Sequence, residues 1–364
     1  MKVPVVIYDT ALPQFQANRV FDRQLAAKFP GASAWVYFGE AAKQRGWAVM
    51  TSDVFLHTRP ASAVALCVSD MITPYTRPLL ATGVLPGVIL SGESPNVAWN
   101  FYHNLAQYAR PYRHAFLFGG VQSRIQPPTQ FHPLYWPNAC RTVLAGGAWE
   151  QREYLVLVAS NKQRFAVSAH KRMPDAWRLA KRLVWYALQR TDPLFRFEDL
   201  YKERLAAILF FSNRPGFRLF GTGWEKPGGL APKYVAAAKR AGAVAVDDKL
   251  ATMANFKFAL CFENCSFPGY VTEKIFDCFF AGCIPVYWGA PDISAFVPTE
   301  TFVDARQFTN WLDLDRYLRE LPASATQRHL AAARDFLASA AFDKFYQETF
   351  ADELIAIIES EFVN

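Results

Sequence analysis

The feature that most limits the fold of this 364-residue chain is an alternation, run twice, between short apolar stretches of strand length and longer stretches with helical spacing. In the first half, residues 5–8, 63–68, 88–90 and 114–118 read as strands, and 34–45, 74–81 and 99–108 as helices. In the second half, 154–159, 217–220, 257–262 and 284–287 read as strands, with 203–211 and 273–280 as helices. Beyond residue 324 the pattern is helical to the end, including 345–362. Strands that alternate with helices imply parallel sheets covered on both faces. The expected fold is therefore α/β, with two Rossmann-like doubly wound domains facing a central cleft, and a helical C-terminus. Sheets of this kind take their ligands outside the carboxyl ends of the strands. The expected boundaries are 1–147, 148–325 and a helical 326–364 packing back on the body, with Gly146-Gly147 as the hinge. Residues 122–145, rich in Pro, Gln and aromatics, read as a long ordered crossing.

Composition removes several classes. Apolar residues make up 52% of the chain and charged residues 20%, which excludes disorder. No apolar run reaches the ~18 residues that a spanning helix needs. The N-terminus lacks a basic stretch followed by an apolar run, so the expectation is a cytoplasmic protein without leader or anchor. The formal charge of +7 favours an anionic partner. No zinc-finger spacing or RNA-binding signature accompanies it, so nucleic acid is not expected. The six cysteines form no Cys-x-x-Cys pair and read as buried thiols. No pair of histidines has ligand spacing, and no metal is expected. Asp313-Leu314-Asp315 could in principle hold a metal-bound diphosphate, but it falls in a helical stretch and reads as a solvated face.

The densest local signal runs from Phe256 to Cys278: a buried strand, a polar loop containing Pro268-Gly269, and a helix beginning near Thr272, a candidate N-cap. A helix N-terminus at a strand's carboxyl end offers free N–H donors and the positive end of the dipole. Lys274 adds a cation there, and Glu273 can accept from a neutral diol such as ribose. A solvated Glu-Lys pair on a capped helix is the plain alternative.

The segment also resembles the signature of the α-1,3/1,4-fucosyltransferases. Cys261-Phe262-Glu263-Asn264, then Gly269-Tyr270-Val271-Thr272-Glu273-Lys274, then Ile284-Pro285-Val286-Tyr287-Trp288-Gly289-Ala290-Pro291 follow that family's order. The likeness extends more loosely over 154–308. It implies an inverting enzyme of the two-domain GT-B architecture that uses GDP-fucose as donor and requires no cofactor. On the positions that match, Asn264, Tyr270, Glu273 and Lys274 would contact the donor, Lys274 at the pyrophosphate and Glu273 at the ribose or fucose. Arg204, in Leu200-Tyr201-Lys202-Glu203-Arg204-Leu205, would meet the phosphates. Gly221-Thr222-Gly223 matches a glycine-rich turn that either passes near the nucleotide or is a plain loop.

An inverting transfer needs a base within hydrogen-bond reach of the attacking hydroxyl. Leu90-Ser91-Gly92-Glu93-Ser94-Pro95 places a carboxylate in a turn at a strand's carboxyl end, and the resemblance makes Glu93 that base. The acceptor would be an oligosaccharide bound by the N-terminal domain, where Phe131, Tyr135 and Trp136 could stack on sugar faces or simply pack. The 170–190 segment reads as a basic amphipathic helix, which would either dock on an anionic membrane face or pack its aromatic side internally. Two rivals stand beside the fucosyltransferase reading: a transferase for another GDP-sugar, and a glycan-binding or nucleotide-sugar-binding protein without chemistry.

Overall fold

The computed structural model describes residues 3–144, 146–161, 175–224 and 230–363. The chain divides into two compact units, Met1–Arg141 with Ser339–Asn364, and Thr142–Ala338. Each has its own sheet and its own apolar core.

The first unit is built on six parallel strands: β1 (Val3–Asp9), β2 (Ala48–Thr51), β3 (Ser62–Asp70), β4 (Leu85–Leu90), β5 (His114–Leu117) and β6 (Gln130–Pro133). Their spatial order is β2-β1-β3-β4-β5-β6. Helices cover both faces of such a sheet, so its inner strands are continuously apolar; Val5, Val6 and Ile7 of β1 are at most 1% exposed. From β1 the chain turns to one side for β2 and to the other for β3. The carboxyl ends of β1 and β3, at this reversal, carry Asp9 and Asp70, and the loop after β4 carries Glu93. Asp9 is fully buried and accepts from the hydroxyls of Ser69, Thr73 and Thr76 at 3.3, 2.6 and 2.6 Å.

The edge strands β2 and β6 were absent from the expected set. β6 lies in the stretch expected to be a crossing, and pairs in register with β5 from His114↔Gln130 to Leu117↔Pro133. The expected 99–108 helix is two short ones, Trp99–His103 and Leu105–Ala109.

The second unit carries β7 (Glu153–Val158), β8 (Glu198–Asp199), β9 (Phe217–Phe220), β10 (Phe256–Phe262), β11 (Cys265–Ser266), β12 (Ile284–Trp288) and β13 (Val303–Asp304). Five form a parallel sheet in the order β13-β12-β10-β7-β9, while β8 and β11 make a small antiparallel ladder. The order reverses between β7 and β10, the place where doubly wound sheets bind ligands.

The boundaries differ from expectation. Gly146 and Gly147 lie inside the second unit rather than at a hinge. Leu144 N–H bonds the Phe280 carbonyl at 2.7 Å, and the Arg152 side chain donates to the Gly147 carbonyl at 3.1 Å. The helical C-terminal segment is also not one body. Helix Ala323–Ala338 stays with the second unit, where Phe336 meets Phe279 edge-on at 6.2 Å. Helix Gln347–Val363 belongs to the first unit and packs on helix Ser33–Gln44, with Trp35 edge-on to Phe350 at 6.0 Å.

Candidate functional site

A cavity of about 300 Å³ opens in the second unit at the β7/β10 reversal. Its floor is apolar, formed by Leu157, Met253, Leu260 and Cys261. Its polar wall includes Ser160 after β7, Thr222 after β9, Asn264 after β10, and Glu273 and Lys274 on helix Glu273–Phe280. Gly221 also lines it, and must be glycine: its φ is +131°, and a Cβ there would stand 2.2 Å from the Ala159 carbonyl oxygen. Gly223 is not among the lining residues.

Arg204 reaches this cavity from helix Tyr201–Phe211, whose start is tied to the end of β10 by Leu200 N–H bonding the Asn264 carbonyl at 3.1 Å. The side chain is 6% exposed. Its Nη2 donates to the carbonyls of Phe262 and Glu263 at 2.9 and 3.3 Å, and its Nε–H has no partner. A buried donor without a partner costs free energy, so it marks a place where an acceptor belongs.

Lys274 is held differently. Its ammonium donates to Glu263 Oε2 and to Thr272 Oγ1, both at 2.7 Å, with Glu273 3.6 Å away. Burial works against its charge, but Glu263 and Glu273 outweigh it and hold Lys274 above the usual lysine range. Burial likewise acts to raise Glu273, and Lys274 and Lys249 overcome it, bringing the carboxyl down to about 2. Glu273 is thus a carboxylate at any physiological pH, fit to accept from hydroxyls.

Two expected details change. Thr272 does occupy the N-cap position, but its hydroxyl makes no capping bond and pairs instead with the Glu263 carboxylate at 2.8 and 2.9 Å. The helix's first N–H groups therefore receive nothing from that side chain. Tyr270 is 2% exposed and is absent from the cavity wall; its hydroxyl accepts from the Asn264 amide at 3.2 Å, which makes it a support for Asn264.

Three residues were missed. Glu263, fully buried at the end of β10, was read only as part of a motif. Lys249 lines the cavity from helix Lys249–Met253 and pairs with Asp277 at 2.6 Å. Neither Lys249 nor Asp277 stands out in sequence, because the pair spans 28 positions and only the fold unites it.

Glu93 lies in the first unit. Its side chain is exposed, its carbonyl accepts from the Tyr102 hydroxyl at 2.7 Å, and its N–H bonds Ser91 Oγ at 3.3 Å. Gly92 beside it leaves room for Trp136, which a Cβ there would meet at 2.8 Å. Tyr135 packs edge-on to Phe345 at 5.4 Å. Asp315 is not on a solvated face: it is 5% exposed, accepts from the Tyr154 hydroxyl at 2.9 Å and pairs with Arg319 at 3.0 Å. Five of the six free cysteines are buried, and Cys140 is half-buried. Among the described residues no helix is long and apolar enough to cross a membrane. Of the basic 170–190 segment, residues 170–174 and the side chains up to 182 lie outside the described residues; the backbone is helical over Asp175–Thr191.

Comparison with known proteins agrees with this geometry. Residues 234–331 match the profile described as Glycosyltransferase family 10 (fucosyltransferase) C-term. An alpha-(1,3)-fucosyltransferase FucT of Helicobacter pylori is 40% identical over 76 residues, covering 21% of this chain and 16% of that protein. An alpha-(1,4)-fucosyltransferase of Arabidopsis thaliana is 28% identical over 188 residues, covering 49% and 43%. The chain thus spans less than half the length of these curated relatives. Among solved structures, an alpha1,3-fucosyltransferase with GDP superposes with a TM-score of 0.52 at 16% identity, over 100% of this chain and 91% of that one. A glycosyltransferase from Rickettsia africae ESF-5 gives a TM-score of 0.56 at 8% identity, over 99% and 98%. These likenesses give the fold, which is GT-B, while the sequence match is confined to part of the second unit. Residues 234–331, with the signature and the cavity's Lys249, Glu273 and Lys274 among them, thus resemble the C-terminal part of glycosyltransferase family 10, the fucosyltransferases.

Proposed function

We infer that the chain is an inverting, metal-independent transferase that moves L-fucose from GDP-β-L-fucose to a hydroxyl of an acceptor glycan. The acceptor position is the 3- or 4-hydroxyl of N-acetylglucosamine in a lactosamine-like chain or a surface polysaccharide. The observation that carries this reading is Arg204: a buried guanidinium with an unpartnered Nε–H in a cavity that also presents Lys274. Such a pair suits a diphosphate. The names of the relatives, an alpha-(1,3)- and an alpha-(1,4)-fucosyltransferase, supply the sugar and the linkage.

On this reading the second unit binds the donor and the first the acceptor. Glu93 takes the proton of the acceptor hydroxyl. The oxygen attacks the fucose anomeric carbon as the bond to the β-phosphate oxygen breaks, which inverts the β-linked donor to an α-fucoside. Arg204 and Lys274 stabilise the charge that collects on the leaving GDP, which is why no metal is invoked. Glu273 and Asn264 hold hydroxyls of the ribose or fucose, and Gly221 and Thr222 border the nucleotide.

A glycan array incubated with enzyme and GDP-fucose tests the reading. We expect α-fucosylated product, unaffected by EDTA, and none with Glu93→Ala, which still binds GDP. Transfer only from a different GDP-sugar, or near-normal turnover by Glu93→Ala, would overturn the donor or the base.

Peripheral contact with an anionic membrane belongs to the same reading. Between residues 162 and 191 there are eight lysines and arginines against one aspartate. On helix Asp175–Thr191 Leu183, Val184 and Tyr186 are exposed, while Trp185 and Leu188 are buried. Co-sedimentation with anionic but not neutral vesicles is expected, and its absence would remove the membrane from the proposal.

A further inference from the structure

Three cations line the cavity, and two of them are already occupied by carboxylates, one buried and one half-buried, that stand outside its wall. Lys274 is bound by Glu263, whose side chain is 0% exposed, at 2.7 Å. Lys249 is bound by Asp277, whose side chain is 15% exposed, at 2.6 Å. Glu273 adds a third negative charge on the wall itself. Arg204, Lys249 and Lys274 against Glu263, Glu273 and Asp277 leave the constellation balanced before any ligand enters. A site built only to hold a diphosphate would leave its cations free. This one sets a fixed anion against the ligand at each lysine.

We propose that Glu263 and Asp277 are internal competitors of the nucleotide's diphosphate, which limit how tightly the cavity holds GDP and so let it leave after each transfer. The proposal rests on the donor-site reading above and concerns the regulation of that same site. The chemistry is direct. Lys274 has three N–H donors, of which one goes to Glu263 and one to Thr272. A phosphate oxygen that approaches this ammonium meets a charge already matched by a carboxylate that cannot move away, because Glu263 Oε1 is also held by Thr272 N–H at 2.9 Å. Lys249 is matched in the same way from the next turn of helix Glu273–Phe280. Arg204 is the exception, since its partners are neutral carbonyls. The cavity therefore keeps one cation with no carboxylate hydrogen-bonded to it for recognition and two directly paired ones for the charge that develops on the leaving diphosphate. Product release sets the turnover of many transferases, and binding energy that survives into the product complex slows it.

The test uses the whole chain and three probes, GDP, inorganic pyrophosphate and guanosine, in calorimetry, with GDP dissociation followed by stopped flow. Removing one carboxylate within about 12 Å of the diphosphate is expected to tighten it at least tenfold at an effective dielectric of about 20. Glu263→Gln should thus bind GDP and pyrophosphate at least tenfold more tightly, release GDP correspondingly more slowly, and leave guanosine affinity unmoved. Asp277→Asn should shift in the same direction by a smaller factor, since Lys249 is 34% exposed against 22% for Lys274. Thr272→Val disturbs the same hydrogen bonds without changing charge and should not tighten GDP. A purely structural role for Glu263 would weaken all three probes together.

Unchanged or weaker GDP binding in both carboxylate variants overturns the proposal. Should Glu263→Gln fail to fold, Asp277→Asn decides alone. If the wild type binds pyrophosphate but not GDP, the nucleotide reading falls while the carboxylate effect is still measured on pyrophosphate. If it binds neither, both fall.

Discussion

Arg204 and Lys274 bring the same charge to one cavity, but what stands behind each differs, and so should the result of removing it. Arg204 leans only on carbonyls and keeps an unmet donor. Arg204→Met should lower GDP affinity roughly thirtyfold, the usual loss for a buried charge contact, while the melting temperature holds or rises. Lys274→Met strands the buried Glu263 carboxylate, and breaking such a pair costs about 3–5 kcal/mol of stability. Paired calorimetry and thermal melts check the contrast; equal loss of stability in both variants would contradict it. Asp70 offers a second residue-level prediction. Burial, and then the charges of Glu93 and Asp9, push its carboxyl up to about 7 against a weaker opposing hydrogen bond from Tyr8. An unfolded aspartate titrates near about 3.9. Between those values the native state keeps a proton that the unfolded chain has released, so this group's contribution falls as pH rises from about 4 to about 7. Asp70→Asn should therefore raise the urea midpoint relative to wild type near pH 8 and leave it unmoved near pH 4; a pH-independent difference would be the contrary result. At this scale the sequence was informative about which residues one contiguous motif brings to the cavity, Asn264, Glu273 and Lys274. It was silent on Glu263 as a partner and on Lys249 with Asp277, and it put Asp315 on a solvated face, because burial and pairing across many positions are set by the fold. It also placed Tyr270 at the ligand, while the packing puts it behind Asn264.

Among the elements, the buried central strands were legible because a strand covered on both faces must be apolar throughout. β2 and β6 were not, since an edge strand such as Gln130–Pro133 needs neither an apolar run nor strict alternation. The C-terminal helices show a further limit. Their apolar stripes were readable, but the stripe does not name the surface it packs on, and the break at Ser339 sends one helix to each unit. Helix Gln347–Val363 gives the prediction at this scale. Leu354, Ile355 and Ile358 are at most 1% exposed, and Trp47 meets Phe362 edge-on at 5.0 Å. Leu354→Ala should cost the first unit about 2–5 kcal/mol, the range for a large-to-small core change. Urea denaturation followed by tryptophan fluorescence reads this, and a loss below about 1 kcal/mol would mean that the helix is dispensable to that core. His114 adds a pH dependence to the same helix. Its Nε2 lies 3.2 Å from Glu361 and its Nδ1 3.1 Å from His132. Burial holds its pKa below the usual histidine value, ahead of the opposing pull of Glu361. The stability contributed by the buried neutral imidazole is present above the unfolded value of about 6.5 and is lost as pH falls through the lower folded value. Lower amide protection factors, with intrinsic rates taken at each pH, are therefore expected in the last two turns of the helix in mild acid, and unchanged protection would argue against it.

Across the whole molecule, two sheets of the same doubly wound kind carry different charge at their strand ends. The first sheet presents carboxylates at its strand ends, Asp9, Asp70 and Glu93, and the second presents cations around a cavity, Arg204, Lys249 and Lys274. A cation that suits the diphosphate depresses the proton affinity of a base close beside it. On the proposed reading the two tasks fall to units with separate cores. It also predicts how ligand binding spreads. GDP at a hundred times its dissociation constant stabilises the state that binds it by about 2.7 kcal/mol. If each core is its own cooperative unit, hydrogen exchange with and without GDP should show protection in β7, β10 and helix Glu273–Phe280, with β1, β3 and β4 unchanged. Protection of equal size in β3 and β4 would mean that the two cores open together. In that case the base in the first unit would sense the nucleotide in the second through stability alone.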